Sequence, residues 1–318
     1  MKYFCTLFDK NYLIKGLTMI TSLKNNSNHS FIYILCLDSI TKDILDNLNL
    51  VYIKTISLEE IEDSRLLEAK GNRTKAEYCW TLASSFTWYV MQYNKNIELI
   101  TYLDADLLFY SNIDSIFNEI GNASIAIIEH RFSPEFKSLE VNGRFCVEWN
   151  SFRRDKEGLR CLNKWKNQCL DWCYYKLEDG KLGDQKYLDE WPELYNNCHI
   201  IKEIGAGIAP WNYSKHKIKR KKDNIMIDNS KLVFYHFHQF EILENEKFFR
   251  VGEIYTSNKK EPDEIYEIYE KELLKSLSKI RKIKNNFNDG IKKKKSFGKE
   301  KIKKLIPIDF RNFLRRFF

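Results

Sequence analysis

The order of the first hundred residues constrains this chain most. Short apolar runs alternate with segments of helical spacing. Residues 3–8 (YFCTLF) are apolar, then come an Asp-Lys-Asn-Tyr turn and a helical pattern to about residue 23. Residues 31–37 (FIYILCL) form a compact strand ending at Asp38. Residues 44–50 suggest a short helix, 51–56 a strand, 76–92 a long helix and 98–103 a strand. This β-α-β-α order predicts an α/β fold of one domain, with a mixed, mainly parallel sheet. Open sheets of this kind bind ligands beyond the carboxyl ends of their strands. Three of those ends carry an aspartate: Asp9, Asp38 and Asp104.

Beyond residue 120, strands are expected at 124–129 and 145–152, an amphipathic helix at 158–175 and a short helix at 184–190. Further strands are expected at 198–204 and 232–237, and a helix at 262–284. The 318 residues divide into a body (1–257), a C-terminal helix (258–285) and a basic amphipathic tail (286–318). Charge supports the division. The net +8 combines +13 over residues 271–318, where 17 Lys and Arg meet 4 Asp and Glu, with −5 over residues 1–270. No apolar run approaches the roughly 18 residues of a membrane span. The first apolar run stops at Asp9, too short for the core of an export signal. The eight cysteines are scattered and read as reduced thiols of a cytoplasmic protein. Cys169 and Cys173, with His199, lack the second close pair that a zinc site needs.

The strongest local signal is ITYLDADLLFY, residues 100–110. An apolar strand runs into Asp104-Ala105-Asp106, and apolar residues resume at once. Two carboxylates at the end of a buried strand concentrate negative charge at a cost that a divalent cation would remove. Oxygen ligands suit Mg2+ or Mn2+, which would in turn bind the phosphates of a nucleotide. A turn capped by two acids is the alternative.

YLDAD at this position resembles the metal-binding motif of the GT-A fold (Rossmann-like) nucleotide-diphospho-sugar glycosyltransferases. CTLFDKNYLIKGLTMITSL resembles the opening strand, D-x-x-Y turn and helix of the family-8 retaining members. That resemblance implies that Asp9, Tyr12 and the Asp104-Ala105 segment contact the donor. GDQKYLDEW (183–191) is similar to the segment whose Asp holds sugar hydroxyls and whose Gln lies beside the anomeric carbon, here Asp184 and Gln185. Read alone, Gly183-Asp184 is also an ordinary helix start. LVFYHFHQF (232–240) is similar to the strand that supplies a third metal ligand, His236, with His238 as an alternative. RTKAEYCWTL, EHRF, EDGKLGDQKYLDEWP and GAGIAPWNY are similar to a bacterial family found with surface-polysaccharide enzymes. Together the matches span about residues 3–240.

The resemblance implies metal-dependent transfer of a sugar from a nucleotide-diphosphate donor to a glycan or lipid-linked acceptor, with retention. Two departures stand out. Gln239 replaces a Gly after His236, with no Lys-Pro-Trp following, so the usual phosphate-binding Lys is missing. An expected Asn-Val-Gly segment reads Cys146-Val147-Glu148. Arg73, Lys75 and Arg131 are candidates for diphosphate binding in the missing lysine's place, or else surface charges. GAGIAP (205–210) lacks the third Gly of a dinucleotide fingerprint, and Pro210 blocks a following helix. It reads as a tight loop that brings Trp211 and Asn212 to the site, where an exposed Trp would stack on an acceptor sugar and a core position for it is the equal alternative. A non-catalytic sugar-binding module with a degenerate site is the competing class. A nucleotidyltransferase would need a Gly-rich basic loop where Asp9-Lys10-Asn11-Tyr12 stands, and no P-loop motif marks a kinase or NTPase.

The tail, IKKKKSFGKEKIKKLIPIDFRNFLRRFF, mixes Lys and Arg with large apolar residues. That composition suits an anchor on the anionic inner face of the cytoplasmic membrane. A nucleic-acid partner is not expected, because the apolar residues have no use on phosphates.

Overall fold

The computed structural model describes residues 1–27, 29–257 and 259–293; residues 294–318, which hold most of the expected anchor, lie outside them. The first half of the chain alternates as expected. It runs β1 (Lys2–Phe8), α1 (Leu13–Asn25), β2 (Ser30–Cys36), α2 (Ser39–Asn47), β3 (Ile53–Ser57), α3 (Ser64–Asn72), α4 (Lys75–Tyr93), β4 (Leu99–Leu103) and β5 (Leu107–Phe109). Then follow α5 (Asp114–Ile120), β6 (Ile125–Glu129), β7 (Phe145–Arg153), α6 (Lys156–Asp171), α7 (Trp191–Leu194) and β8 (Cys198–Ile201). The last part holds β9 (Ile218–Lys221), β10 (Asn224–Ile227), β11 (Ser230–Lys231), β12 (Phe234–His236), β13 (Glu241–Leu243), β14 (Lys247–Phe249), α8 (Asp263–Ile283) and β15 (Ile291–Lys292).

The central sheet has the order β3-β2-β1-β4-β7-β6-β8. The first four of these strands are parallel, β7 runs antiparallel to both neighbours, and β8 is parallel to β6. The apolar runs lack polar alternation because both faces are covered. Phe4, Phe8 and Leu103 join the core under α1 and α8, whereas Cys5, Leu7, Ile100 and Tyr102 join the core under α4 and α6. Successive side chains on a strand point to opposite faces, so each run feeds two cores. Asp38, Asp63 and Asp155 cap α2, α3 and α6, and Thr74 with Glu77 forms a capping box on α4.

Several expected boundaries move. The 158–175 helix is α6, which stops at Asp171 because Trp172 is extended, leaving Cys173 beyond its end. The 184–190 helix is a 3-10 turn over Lys186–Glu190 that leads into α7. The strand expected at 198–204 ends at Ile201, and the one at 232–237 shortens to β12. All eight cysteines are free thiols.

The C-terminal helix is part of the body. α8 packs on α1, where the Thr18 hydroxyl lies 2.7 Å from Ser276 Oγ. The boundary expected at 286 also moves. Phe287 is fully buried, Asp289 pairs with Lys10 at 3.0 Å, and β15 adds in parallel to β13. Residues 287–292 thus fold back over the Asp9–Tyr12 turn. Among the described residues no helix is long and apolar enough to cross a membrane.

Candidate active site

β4 ends at Leu103, and Asp104-Ala105-Asp106 carry the chain into β5. β5 pairs antiparallel with β12, placing His236 opposite Leu107. The Phe237 amide donates to the Asp106 carbonyl at 2.9 Å, locking this register. His236 is thereby aimed at both carboxylates. Its Nε2 lies 3.0 Å from Asp106 Oδ1 and 3.9 Å from Asp104 Oδ2. Its Nδ1 lies 2.6 Å from Oε2 of Glu148, a fully buried residue of β7. The Asp106, His236 and Glu148 side chains are nearly enclosed, but that of Asp104 keeps 28% of its surface open and forms the mouth.

Electrostatics follow from this packing. Burial pushes the Asp104 carboxyl up to about 7, opposed by His236 and aided by the charges of Asp106 and Glu148. Burial acts upward on Asp106 too, but His236 and Lys15 outweigh it and hold that carboxyl well below the usual range. Burial opposes charge on His236, yet Asp106 and Glu148 raise it well above its ordinary value. Burial and the His236 charge pull His238 down to about 4.

The donor set fits a hard divalent cation. Asp104, Cys146 and His236 converge within 4.8 Å, as do Asp106, His236 and His238. His236 is common to both groups, and Cys146, pushed by burial up to about 12, stays a thiol. Neither group holds both aspartates, but His236 Nε2 lies 3.0 Å from Asp106 and 3.9 Å from Asp104, and carboxylate with imidazole suits Mn2+ or Mg2+. Glu148 accepting from Nδ1 is the outer carboxylate that fixes the tautomer and ring angle of a ligating histidine.

Asp9 stands at the end of β1, neighbouring β4. Its carboxylate accepts from the Asn11 amide at 3.0 Å, Asn11 Nδ2 at 2.8 Å and the Tyr12 amide at 3.2 Å. It also pairs with Lys75. Asp38 accepts from the Lys10 amide at 2.8 Å, bracing the same turn. Tyr12 stays 43% exposed as a residue. Asp184 is buried, and burial with the Asp104 charge raises its carboxyl well above the ordinary value. It does not cap the 3-10 turn that follows. Gln185 Nε2 donates to the Asn142 carbonyl at 3.1 Å, and a Cβ at Gly143 would sit 3.0 Å from the Gln185 side chain.

Other expected residues lie elsewhere. Trp211 is 2% exposed and cannot present a face to a sugar. It packs 5.2 Å from the His236 ring, with His130, His238 and Tyr255 around it. Asn212 is also fully buried. Its amide accepts from Ala209 and donates to the His130 and Gly207 carbonyls, stapling the loop. Trp211 therefore packs against His236, and Asn212 holds the loop that carries it, instead of meeting an acceptor. Arg73 binds Thr81 Oγ1 and the Leu170 carbonyl, each at 2.8 Å, tying α4 to α6 away from the carboxylates. Lys75 is held by Asp9, and Arg131 is half-buried with Nη1 on the Glu203 carbonyl.

The glycines of GAGIAP serve close packing. A Cβ at Gly207, whose φ is +67°, would come within 2.7 Å of Glu148 Oε1 and 3.1 Å of Arg131 Nη2. Gly207→Ala combines left-handed strain with a clash against a buried carboxylate. A loss of roughly 2 kcal/mol is expected in urea unfolding. Gln239, where the family pattern has Gly, keeps the glycine-like backbone at φ +60°.

Glu148 and Lys15 are the functional candidates that sequence reasoning missed. Each is a lone charge inside an apolar run, FCVEWNSF and LIKGLTMI. That is the signal that singled out Asp104 and Asp106, and it was available for both.

The Glycosyl transferase family 8 model matches residues 5–156. The uncharacterized protein YfnD of Bacillus subtilis (strain 168) is 33% identical over 249 residues, 77% of this chain and 80% of that protein. YfnF of the same organism, also uncharacterized, is 30% identical over 293 residues, 90% of this chain and 96% of its own length. The crystal structure of the glycosyltransferase GlyE of Streptococcus pneumoniae TIGR4 superposes with a TM-score of 0.51 at 12% identity, over 89% of this chain and 63% of GlyE. The chain therefore belongs to glycosyl transferase family 8 and is a glycosyltransferase of the GT-A fold.

Proposed function

We propose that this glycosyltransferase uses Mn2+ or Mg2+ and moves a sugar from a nucleotide-diphosphate donor to a glycan or lipid-linked acceptor in cell-surface polysaccharide assembly, with retention. The observation that carries the reading is the convergence of Asp104, Asp106 and His236 beside the Asp9–Tyr12 turn, with Glu148 behind the histidine. Asp104, Asp106 and His236 would hold the cation, which supplies charge neutralisation to a departing diphosphate.

The chain's own residues account for the other needs of the reaction. Tyr12, an exposed residue, offers its ring to the base, and Asp9, fixed by three hydrogen bonds, offers acceptors near it. Asp184, next to the Asp104 charge, can orient sugar hydroxyls. Gln185, its amide nitrogen held by Asn142, can present its carbonyl oxygen to an anomeric carbon that gains positive character as the C–O bond breaks. The acceptor oxygen forms the new bond to that carbon, and its proton leaves with the diphosphate.

A thermal-shift screen of nucleotide-diphosphate sugars with Mn2+ tests the donor. NMR of the product's anomeric configuration tests retention, and inversion would sink it. Of the departures that favoured a non-catalytic module, Glu148 now has a role as the histidine's partner, and Gln239 preserves the backbone of a glycine. For the tail we propose reversible binding to anionic lipid, supported by its mixture of basic and apolar residues. Removing residues 294–318, and not the folded segment before them, should abolish sedimentation with phosphatidylserine liposomes and leave the melting temperature unchanged.

A further inference from the structure

Lys15 is a charge in the wrong place for a structural helix residue. It lies in the apolar stretch of α1, and only 7% of its surface is exposed. Its Nζ sits 4.5 Å from the centroid of the Tyr12 ring. Among the described residues it makes no ion pair, although its charge acts on Asp106 and His238, and Glu241 and Lys292 act on it. Burying an ammonium without a direct partner is costly. Burial accordingly lowers its proton affinity, against the pull of Asp106.

The other cations near the site have partners of their own, although Arg131 keeps Nε and Nη2, and Arg73 its Nε, buried without one. Lys75 pairs with Asp9, Lys10 with Asp289, Arg73 binds Thr81 and Leu170, and Arg131 binds the Glu203 carbonyl. Lys15 is therefore a basic side chain beside the Tyr12 ring, within electrostatic reach of Asp106 and without a carboxylate of its own. β13, with Glu241, is the chain segment that follows His236 and Gln239, where the sequence has no lysine to offer. Lys15 reaches that neighbourhood from α1 instead.

We infer that Lys15 binds the diphosphate of the donor, an inference that rests on the nucleotide-diphosphate-sugar reading above. A dianionic or trianionic phosphate group is the partner that a buried, unpaired ammonium beside a metal-binding carboxylate lacks. The competing role is a counter-charge that only holds Asp106 ionised.

The test compares wild type with Lys15→Met, and with Lys15→Gln as a second neutral variant should the first fold poorly. Calorimetry with Mn2+ measures UDP, GDP, CDP, ADP and dTDP and the matching monophosphates. Electron paramagnetic resonance measures Mn2+ affinity without nucleotide. The diphosphate that wild type binds should weaken by about 10- to 100-fold, the scale of one charge-assisted hydrogen bond. The matching monophosphate should change by less than about threefold, and Mn2+ alone should bind as well or better. An unchanged diphosphate affinity, or a loss shared equally by the monophosphate, overturns the assignment. Wild type binding none of the diphosphates overturns the donor reading itself, and the role of Lys15 with it.

Discussion

Asp106→Asn should lower donor hydrolysis and sugar transfer by roughly 100- to 1000-fold, the usual scale for removing one group that stabilises developing charge. The substitution keeps the shape of the side chain and one contact to His236 Nε2, now 3.0 Å away, so the fold should persist. What it removes is the carboxylate that His236 and Lys15 hold ionised against burial. Three measurements separate the outcomes: turnover with the donor found by screening, Mn2+ affinity by paramagnetic resonance, and thermal melting. Turnover within threefold of wild type would remove Asp106 from the site. Full activity of the wild type in EDTA would remove the cation altogether.

Glu148→Gln should weaken Mn2+ binding by about 10- to 100-fold, the range measured for outer partners of ligating histidines. The Glu148 carboxylate accepts a hydrogen bond from Nδ1 of His236 at 2.6 Å and so turns Nε2 toward Asp104 and Asp106. A glutamine can present either a donor or an acceptor there, and the ring loses its fixed tautomer. The variant should also melt lower, because the charge of Arg131, which is half-buried close by, is offset first by Glu148. Stability alone does not decide the matter, so the metal titration is the discriminating measurement. Unaltered Mn2+ affinity with a lowered melting point would make Glu148 a packing residue.

These two variants sit on opposite sides of what the sequence discloses. Asp106 was legible because charge inside an apolar run has no cheap explanation, and because YLDAD resembles a family motif. Glu148 has the same signature within FCVEWNSF but was read as a departure from a pattern. Which charge a buried glutamate answers depends on a strand 88 residues away. Trp211 shows the reverse case. Its place after GAGIAP fitted an exposed platform and a core position equally, and the loop folds inward, where Asn212 closes it with three hydrogen bonds. A tryptophan's exposure is decided by what packs over it, and no local pattern carries that information.

The boundaries show the same division. α4 and α6 begin within two residues of their expected starts, each behind a side-chain cap, whereas α2 begins five residues before the expected 44 and α3 was not expected. Residues 287–292, expected in the tail, join the folded chain because β15 is stabilised by pairing with β13, a contact across about 49 residues.

From its sequence alone, this chain has a determined class of fold, a candidate strand end for its chemistry, and a charge imbalance between residues 1–270 and 271–318. These rest on interactions between near neighbours: hydrophobic period, capping and a carboxylate pair one residue apart. The tertiary structure alone decided which groups converge on that pair. It brought His236 across from β12, set Glu148 behind it, folded Trp211 inward and held Lys15 under Tyr12. Convergence of this kind is set by sheet register and by the packing of helices onto its faces, and both are properties of contacts between distant segments.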